Sequence, residues 1–283
     1  VPEGHTLFRL ARDQNAQFAG RPVRVSSPQG RFAESAALLD GRVLRRVESY
    51  GKHLFQVYEP GDAIVHIHLG LYGKVLAGAG AAPEAKGALR LRLEGPGAEG
   101  EGEWADLRGA TVCELITRAE RTAILAELGP DPLHPRPAGP AGSAADGARA
   151  AARMARSSKP VAALLMDQAV LAGVGNVYRA ELLYRHRVDP LLPGRDLVAQ
   201  DWAAMWADLV SLMRAGVRAG RIVTTLPEHR SRRSGPARDE DRCYVYRRAG
   251  LPCRVCGTTV ATAVLVGRNL FWCPTCQNRP VGE

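Results

Sequence analysis

The sequence predicts an α+β multidomain chain, and three observations carry that prediction. Residues 5–18 place apolar side chains at helical spacing. From residue 21 to about 118 the chain breaks into short alternating runs punctuated by Gly and Pro. The tail carries two Cys-x2-Cys pairs separated by sixteen residues. A length of 283 residues is enough for two or three small domains and too much for one simple core. Apolar residues make up 46% and charged residues 24%, the balance of a globular soluble chain. No run approaches the roughly 18–20 apolar residues of a membrane span, so no membrane partner is expected. No basic-then-apolar segment opens the chain, so a cytoplasmic location is expected.

Taken in order, the first helix puts Leu7, Leu10, Ala11 and Phe18 on one face, with Gly20 beyond its end. The runs RPVRVSS, GRVLRRVESYG, HLFQVYE, AIVHIHL, KVLAG, ALRLRLEG and ATVCELI then read as strands of a sandwich or barrel. A short helix is expected over 119–128. Residues 130–152 are rich in Pro, Gly and Ala and read as a linker. Helical spacing returns from 157, is interrupted by Ala172-Gly173-Val174-Gly175-Asn176, and resumes over 177–187 and 198–219. The last of these helices carries Trp202, Met205, Trp206, Leu209, Leu212 and Met213 toward a core. Residues 221–242 read as a mobile basic loop.

Basic residues number 38 against 29 acidic, a net charge of +9. A basic surface favours a polyanion, most simply nucleic acid. The excess is concentrated, with eleven Arg against four acids over 214–254, a plausible phosphate contact surface. Lys occurs only at Lys52, Lys74, Lys86 and Lys159; every other basic residue is Arg. A lysine kept in such a chain points to a place where Arg cannot substitute, and proton transfer is one.

Cys253, Cys256, Cys273 and Cys276 have the spacing of a four-thiolate zinc site. Two Cys-x-x-Cys turns complete a tetrahedron and leave no open position, so one structural Zn2+ is expected to fold the tail. At the other end the chain opens Val1-Pro2-Glu3-Gly4-His5-Thr6. Residue 1 reads as an initiator removed ahead of the proline. Pro2 would then carry a secondary amine whose pKa, about 7.7–8.0, leaves much of it neutral and nucleophilic. Its attack on an aldehyde-level carbon gives an iminium, an electron sink, and Glu3 beside it can move a proton.

The motifs taken together go further. They are Pro2-Glu3-Gly4, Gly51-Lys52, Leu128-Gly129-Pro130-Asp131-Pro132-Leu133, Leu165-Met166-Asp167-Gln168, Gly173-Val174-Gly175-Asn176-Val177-Tyr178-Arg179-Ala180-Glu181 and Gly267-Arg268-Asn269-Leu270-Phe271-Trp272-Cys273-Pro274-Thr275-Cys276-Gln277. In this order, over nearly the whole chain, they resemble the formamidopyrimidine-DNA glycosylase / endonuclease VIII family of base-excision repair enzymes.

The resemblance implies an N-terminal β-sandwich with a leading helix, a helix-two-turn-helix domain and a C-terminal zinc β-hairpin, with DNA in the cleft between. The corresponding boundaries are a catalytic domain over 1–130, a linker over 131–156, a DNA-binding domain with the basic loop over 157–242 and the zinc hairpin over 243–283. It implies a Schiff base from Pro2 to C1′ of the sugar, protonation of the ring oxygen by Glu3, and assistance to elimination from Lys52. Asn176 would bind phosphate. Arg268 would bind phosphate and assist the second elimination. Leu71 and Tyr72, ahead of Gly73, resemble the wedge of the endonuclease VIII branch, filling the hole left by an extruded base; that branch often has Gln where this chain has Gly70.

The expected activity is therefore removal of oxidised bases, pyrimidines foremost, followed by nicking of the strand by β,δ-elimination. The alternatives are an oxidised-purine enzyme of the same family and a non-catalytic zinc-bearing damage sensor. Damaged double-stranded DNA is the expected partner, a monomer the expected state, and a nucleoid-associated bacterial enzyme the expected setting. By themselves Gly173–Asn176 read as an inter-helix turn, and His66 and His68, alternating on a strand with no carboxylate evident nearby, read as structural.

Overall fold

The computed structural model describes residues 2–61, 63–96, 102–135 and 138–278. The chain divides into two compact units, Val1–Glu127 and Leu128–Glu283.

The first unit opens with α1 (Gly4–Phe18), then β1 (Arg21–Pro22), β2 (Arg24–Ser26), α2 (Ala33–Leu39), β3 (Val43–Tyr50), β4 (His53–Glu59), β5 (Ala63–His68), β6 (Lys74–Ala79), β7 (Leu89–Glu94), β8 (Glu103–Arg108), β9 (Val112–Ile116) and α3 (Arg118–Ala126). One antiparallel sheet runs β1-β3-β4-β5-β9 and the other β2-β7-β8-β6. Leu44, Val47, Leu54, Tyr58, Val65 and Ile67 from the first sheet meet Val25, Leu91, Leu93, Ala105 and Leu107 from the second in one core. The alternative left open by the sequence, sandwich or barrel, therefore resolves to a sandwich. The helix α2 lies in a stretch that the strand pattern left unassigned.

β4 is buried along nearly its whole length, which is why its sequence, HLFQVYE, is almost continuously apolar rather than alternating. Its inner side chains enter the sandwich core. Its outer ones, Phe55 and Val57, join Ile64 and Ile116 under Ile124 and Leu125 of α3. Thr117 and Glu120 form a reciprocal capping box that starts α3.

Helix α1 is fastened to the five-stranded sheet by pairs that also set its direction. Asn15 donates to Val47 O and accepts from Val47 N, both at 2.7 Å. Gly20 N donates to Leu44 O at 2.8 Å. Moving toward the helix N-terminus thus means moving along β3 toward the β3–β4 turn. From Asn15 back to Glu3 is about 18 Å of helix, and from Val47 to Lys52 is roughly 16 Å of strand. Pro2 and Glu3 therefore lie at the same end of this unit as Lys52.

The second unit carries α4 (Pro140–Met154), α5 (Val161–Leu164), α6 (Asn176–Arg185), α7 (Ala199–Ala219) and the hairpin β10 (Ala261–Leu265) and β11 (Arg268–Trp272). The presence of α4 corrects the reading of 131–156 as a linker. Pro140 sits in the first turn, where a proline costs nothing, and the alanines that suggested a featureless linker are the strongest helix formers. Gly147 lets α4 approach α7 closely, since a Cβ there would lie 2.9 Å from the Trp206 ring. Trp202 Nε1 donates to Gly147 O at 2.7 Å. The expected helix from 157 is shorter than its spacing suggested, with only α5 followed by turns, while α6 and α7 fall close to their expected spans. No helix among the described residues is long and apolar enough to cross a membrane.

The basic segment 221–242 forms neither α-helix nor strand, yet it is fastened rather than loose. Buried Asp241 accepts from Ser231 N and from Arg254 Nη1 at 2.9 Å. Thr225 Oγ1 donates to Asp241 O at 2.6 Å.

Asp106, on β8, is fully buried within the sandwich. Arg92 grips both of its oxygens at 2.7 and 2.9 Å, and Arg108 adds a third bond at 2.8 Å. Burial alone would raise the Asp106 pKa, but the two guanidinium partners outweigh it and hold the group below its ordinary value. Its stabilising contribution is therefore complete at neutral pH and lost as pH falls through the lowered pKa. Asp106→Ala strands two charges and is expected to cost about 3–5 kcal/mol. Calorimetric unfolding at pH 7 checks this; a midpoint within a degree of the parent would contradict it.

Candidate active site

In the first unit, Glu3 is the N-cap of α1, fully buried, with its carbonyl accepting from Thr6 N at 2.8 Å. Pro2 is half-buried beside it, and Val1 lies outside the described residues. His5, in the first turn, is buried, and burial together with nearby positive charge, including Arg9, lowers its pKa to about 4. Lys52 stands in the tight turn between β3 and β4, where Gly51 takes φ +57°.

Leu71 and Tyr72 occupy the turn after β5 and are exposed, Tyr72 to 87%. Gly73 N donates back to Leu69 O at 3.0 Å and closes the turn. The glycines are needed on both sides. Gly70 has φ +67°, and a Cβ there would lie 2.4 Å from Thr111 Cγ2; one on Gly73 would lie 2.2 Å from Leu69 O. Packing against Thr111 is thus the local reason that position 70 is Gly in this chain.

The reading of His66 and His68 as lacking a carboxylate partner is corrected by the register. β9 places Glu114 opposite His66, and His66 Nδ1 lies 2.8 Å from Glu114 Oε1. His68 Nδ1 accepts from Gly70 N at 3.1 Å, which puts its ring proton on Nε2 when the imidazole is neutral. The Lys52 ammonium lies near enough to reduce the basicity of both His53 and His68, after burial. Alternation on a strand marked the two histidines; the partner is forty-eight residues away and had no local signal.

In the second unit, Gly173 has φ +89° and Gly175 caps α6, so Asn176 is the first helical residue. Backbone N–H groups at such a terminus are unpaired by the helix and favour anions. Asn176 Nδ2 and Arg179 Nη2 both donate to Asn269 O at 3.0 Å, and Arg179 also bonds the Asn176 side-chain oxygen. Asn269 follows Arg268, so the fold brings Asn176 and the Arg268 strand together. Arg268 is exposed beside the Val266-Gly267 turn, where both residues have positive φ. A hollow of about 450 Å³ there is lined by Lys159, Asp167, Arg179, Val266 and Arg268.

The four cysteines converge. All four sulfurs lie within 4.8 Å of one another, with Cys253–Cys276 at 3.9 Å and Cys256–Cys273 at 3.4 Å. Tetrahedral zinc with bonds of about 2.3 Å sets sulfurs about 3.8 Å apart, so the cluster fits one ion. Burial pushes the Cys273 and Cys276 thiols up, so a cation is needed to hold them as thiolates. Tyr184 Oη lies 3.1 Å from Cys253 Sγ and supports that sulfur from α6.

Three modules of known proteins match this chain. Residues 1–113 match the formamidopyrimidine-DNA glycosylase N-terminal domain, residues 128–228 the formamidopyrimidine-DNA glycosylase H2TH domain, and residues 250–279 the zinc finger found in FPG and IleRS. Together they define a DNA glycosylase of base-excision repair with one structural zinc. The chain belongs to the formamidopyrimidine-DNA glycosylase / endonuclease VIII family and is a DNA glycosylase and abasic-site lyase.

Among its relatives is endonuclease 8 1 of Mycobacterium tuberculosis, 52% identical over 282 residues, covering 98% of this chain and all of that one. Endonuclease 8 2 of Mycobacterium bovis is 33% identical with the same coverage. The fold is similar to that of Lactococcus lactis formamidopyrimidine-DNA glycosylase bound to abasic-site DNA, with a TM-score of 0.77, 18% identity, and coverage of 98% and 100%.

Metal analysis of the folded protein is expected to find one zinc per chain. Because a thiolate site supplies folding energy, on the order of 10 kcal/mol in small modules, chelation or Cys253→Ala should abolish amide-exchange protection in β10 and β11. Full protection in metal-free protein would contradict the assignment.

Proposed function

We propose that this enzyme removes oxidised pyrimidines from duplex DNA as a monomer, and then nicks the abasic strand by β,δ-elimination through a Schiff base on Pro2. The observation that carries the reading is the pairing of a half-buried Pro2 with a fully buried Glu3 at the N-terminus of α1, at the Lys52 end of the sandwich. With residue 1 removed, the Pro2 amine attacks C1′ of the damaged nucleotide. Glu3 donates a proton to the sugar ring oxygen, the ring opens, and the base leaves. The iminium then draws electrons as a proton leaves C2′ and the 3′ phosphate departs; Lys52 and Arg268 assist elimination.

Asn176 and Arg268 grip the backbone, and Leu71 and Tyr72 fill the space left by the extruded nucleotide. The preference for pyrimidines rests on the resemblance to the endonuclease VIII branch, whose wedge the exposed Leu71-Tyr72 turn resembles. A duplex panel tests it directly: oxidised pyrimidines should be excised faster than oxidised guanine, and the reverse order would overturn the preference.

Two substitutions separate chemistry from grip. Glu3→Gln should bind duplex almost as the parent does, lose base excision on the order of 10²-fold or more, and keep part of its cleavage of pre-formed abasic sites, where the sugar is already partly open. Arg268→Ala should weaken damaged and undamaged duplex alike and lower the salt slope of binding by about one unit. Single-turnover cleavage of both substrates beside a salt titration reads both. Excision at the parent rate by Glu3→Gln removes Glu3 from the mechanism, and an unchanged salt slope removes Arg268 from the phosphate.

A further inference from the structure

A row of imidazoles continues the outer face of the five-stranded sheet beyond α3, at the end where Lys52 stands. The register sets His53 opposite His68, Phe55 opposite His66, and His66 opposite Glu114. Period-two alternation puts all of these on the face turned away from the sandwich core. His66 is 5% exposed. Its ring stacks on His53 at 5.1 Å and on Phe55 at 5.2 Å. An apolar side chain would fill this place without desolvating two nitrogens. Instead both nitrogens are engaged: His53 Nδ1 lies 2.9 Å from His66 Nε2, and His66 Nδ1 lies 2.8 Å from Glu114 Oε1.

The carboxylate fixes the proton positions. Glu114 can only accept, so His66 Nδ1 carries a hydrogen. With His66 neutral, its Nε2 accepts and His53 Nδ1 donates. His53 Nε2 is then left with a lone pair. Burial first, and then the charges of His66, His68 and Lys52, lower the His53 pKa to about 3, so positive charge does not settle on that ring. At the other end of the chain, Glu114 is about half exposed and opens to solvent. The charged and titratable groups facing the row are Tyr50 and Glu48 on β3, Lys52 in the turn, His68 on β5, Glu114 on β9, and Arg121 on α3, whose guanidinium covers Phe55 at 5.3 Å and pairs with Glu48.

We propose that His53, His66 and Glu114 form a proton relay that serves Lys52 during strand cleavage, an inference that rests on the lyase reading above. A proton leaving the Lys52 side bonds to His53 Nε2 as the donor's bond breaks. The His53 Nδ1 proton passes to His66 Nε2. The added positive charge then rests on the His66 imidazolium, against the Glu114 carboxylate and away from Lys52. The same transfers in reverse return the proton to a departing group or to water. No oxidant or further reactant is needed. Elimination releases protons from carbon, and the relay supplies a place for one beside a lysine whose own charge must be controlled.

The test is single-turnover nicking of duplex DNA carrying a pre-formed abasic site, by enzyme beginning at Pro2. His66→Gln is the key variant, because Gln can accept from His53 and donate to Glu114 but cannot carry the proton. It should nick on the order of 10²-fold more slowly, with duplex affinity and borohydride-trapped adduct retained. His53→Ala should be slowed likewise, and imidazole in the buffer should restore its rate in proportion to the neutral form.

Parent-rate nicking by both variants overturns the relay, as does a slow His53→Ala enzyme that imidazole does not accelerate. These outcomes are distinguishable from failure of the lyase reading. If the parent enzyme is neither trapped nor nicks, that reading fails and the relay with it. If the parent does both and the variants match it, the relay alone fails.

Discussion

One buried carboxylate ties together the functional end of the C-terminal unit. Glu181, on α6 and fully buried, accepts from the backbone N–H groups of Tyr244, Val245 and Tyr246 at 2.7, 2.9 and 2.9 Å, and from the Thr224 hydroxyl. Only a carboxylate has enough lone pairs for this set; an amide offers one acceptor oxygen. Each stranded buried N–H would cost about 1–3 kcal/mol. The helix that carries Glu181 begins with Asn176, and the backbone that it anchors leads directly into Cys253. The same carboxylate therefore sets the helix terminus, the end of the basic segment and the start of the zinc module against one another. Arg179, two residues earlier, extends the tie to Asn269 O. Zinc closes the module from the far side, and Tyr184, Tyr244, Val260 and Phe271 pack between. Arg268 is thus held at a hairpin tip whose position is fixed from both ends.

The N-terminal unit meets a different demand under the proposed mechanism: the segment that carries Pro2 and Glu3 must be held still. A frayed terminus could not place an amine at an abasic carbon. Here α1 contributes Leu7, Ala11 and Phe18 to the sandwich core, and Asn15 locks it to β3 through two bonds. Burial of Glu3 follows from its place as N-cap of a helix docked along its length. The sandwich itself is stiffened by Asp106 and its two arginines. The apolar core lies where apolar sequence is dense, and the polar groups assigned to chemistry in the proposed mechanism lie at the ends of elements.

Much of this was legible in the sequence where the signal is local. Two Cys-x2-Cys turns are unmistakable because their spacing is itself the geometry of the metal. Helices α1, α6 and α7 follow from apolar periodicity, and the exposed turn at Leu71-Tyr72 from the glycines on either side. Local signals failed in two ways. Composition misled at 140–154, where Ala, Gly and Pro describe a linker and a close-packed helix equally well until Trp206 is seen against Gly147. Strand register is not written in any one segment, so the bonds from Glu114 to His66 and from His66 to His53 could not be read from alternation. Glu181 stood inside a recognised motif, but its partners lie more than forty residues further along the chain.

The most direct measurement of the central claim locates the covalent bond. Enzyme beginning at Pro2 is incubated with duplex DNA containing one abasic site, reduced with borohydride, digested, and the modified peptide sequenced by mass spectrometry. The account expects the sugar on the amine of Pro2, in the peptide that opens Pro2-Glu3. A sugar found on Lys52, or no adduct from enzyme that still nicks the strand, would contradict it.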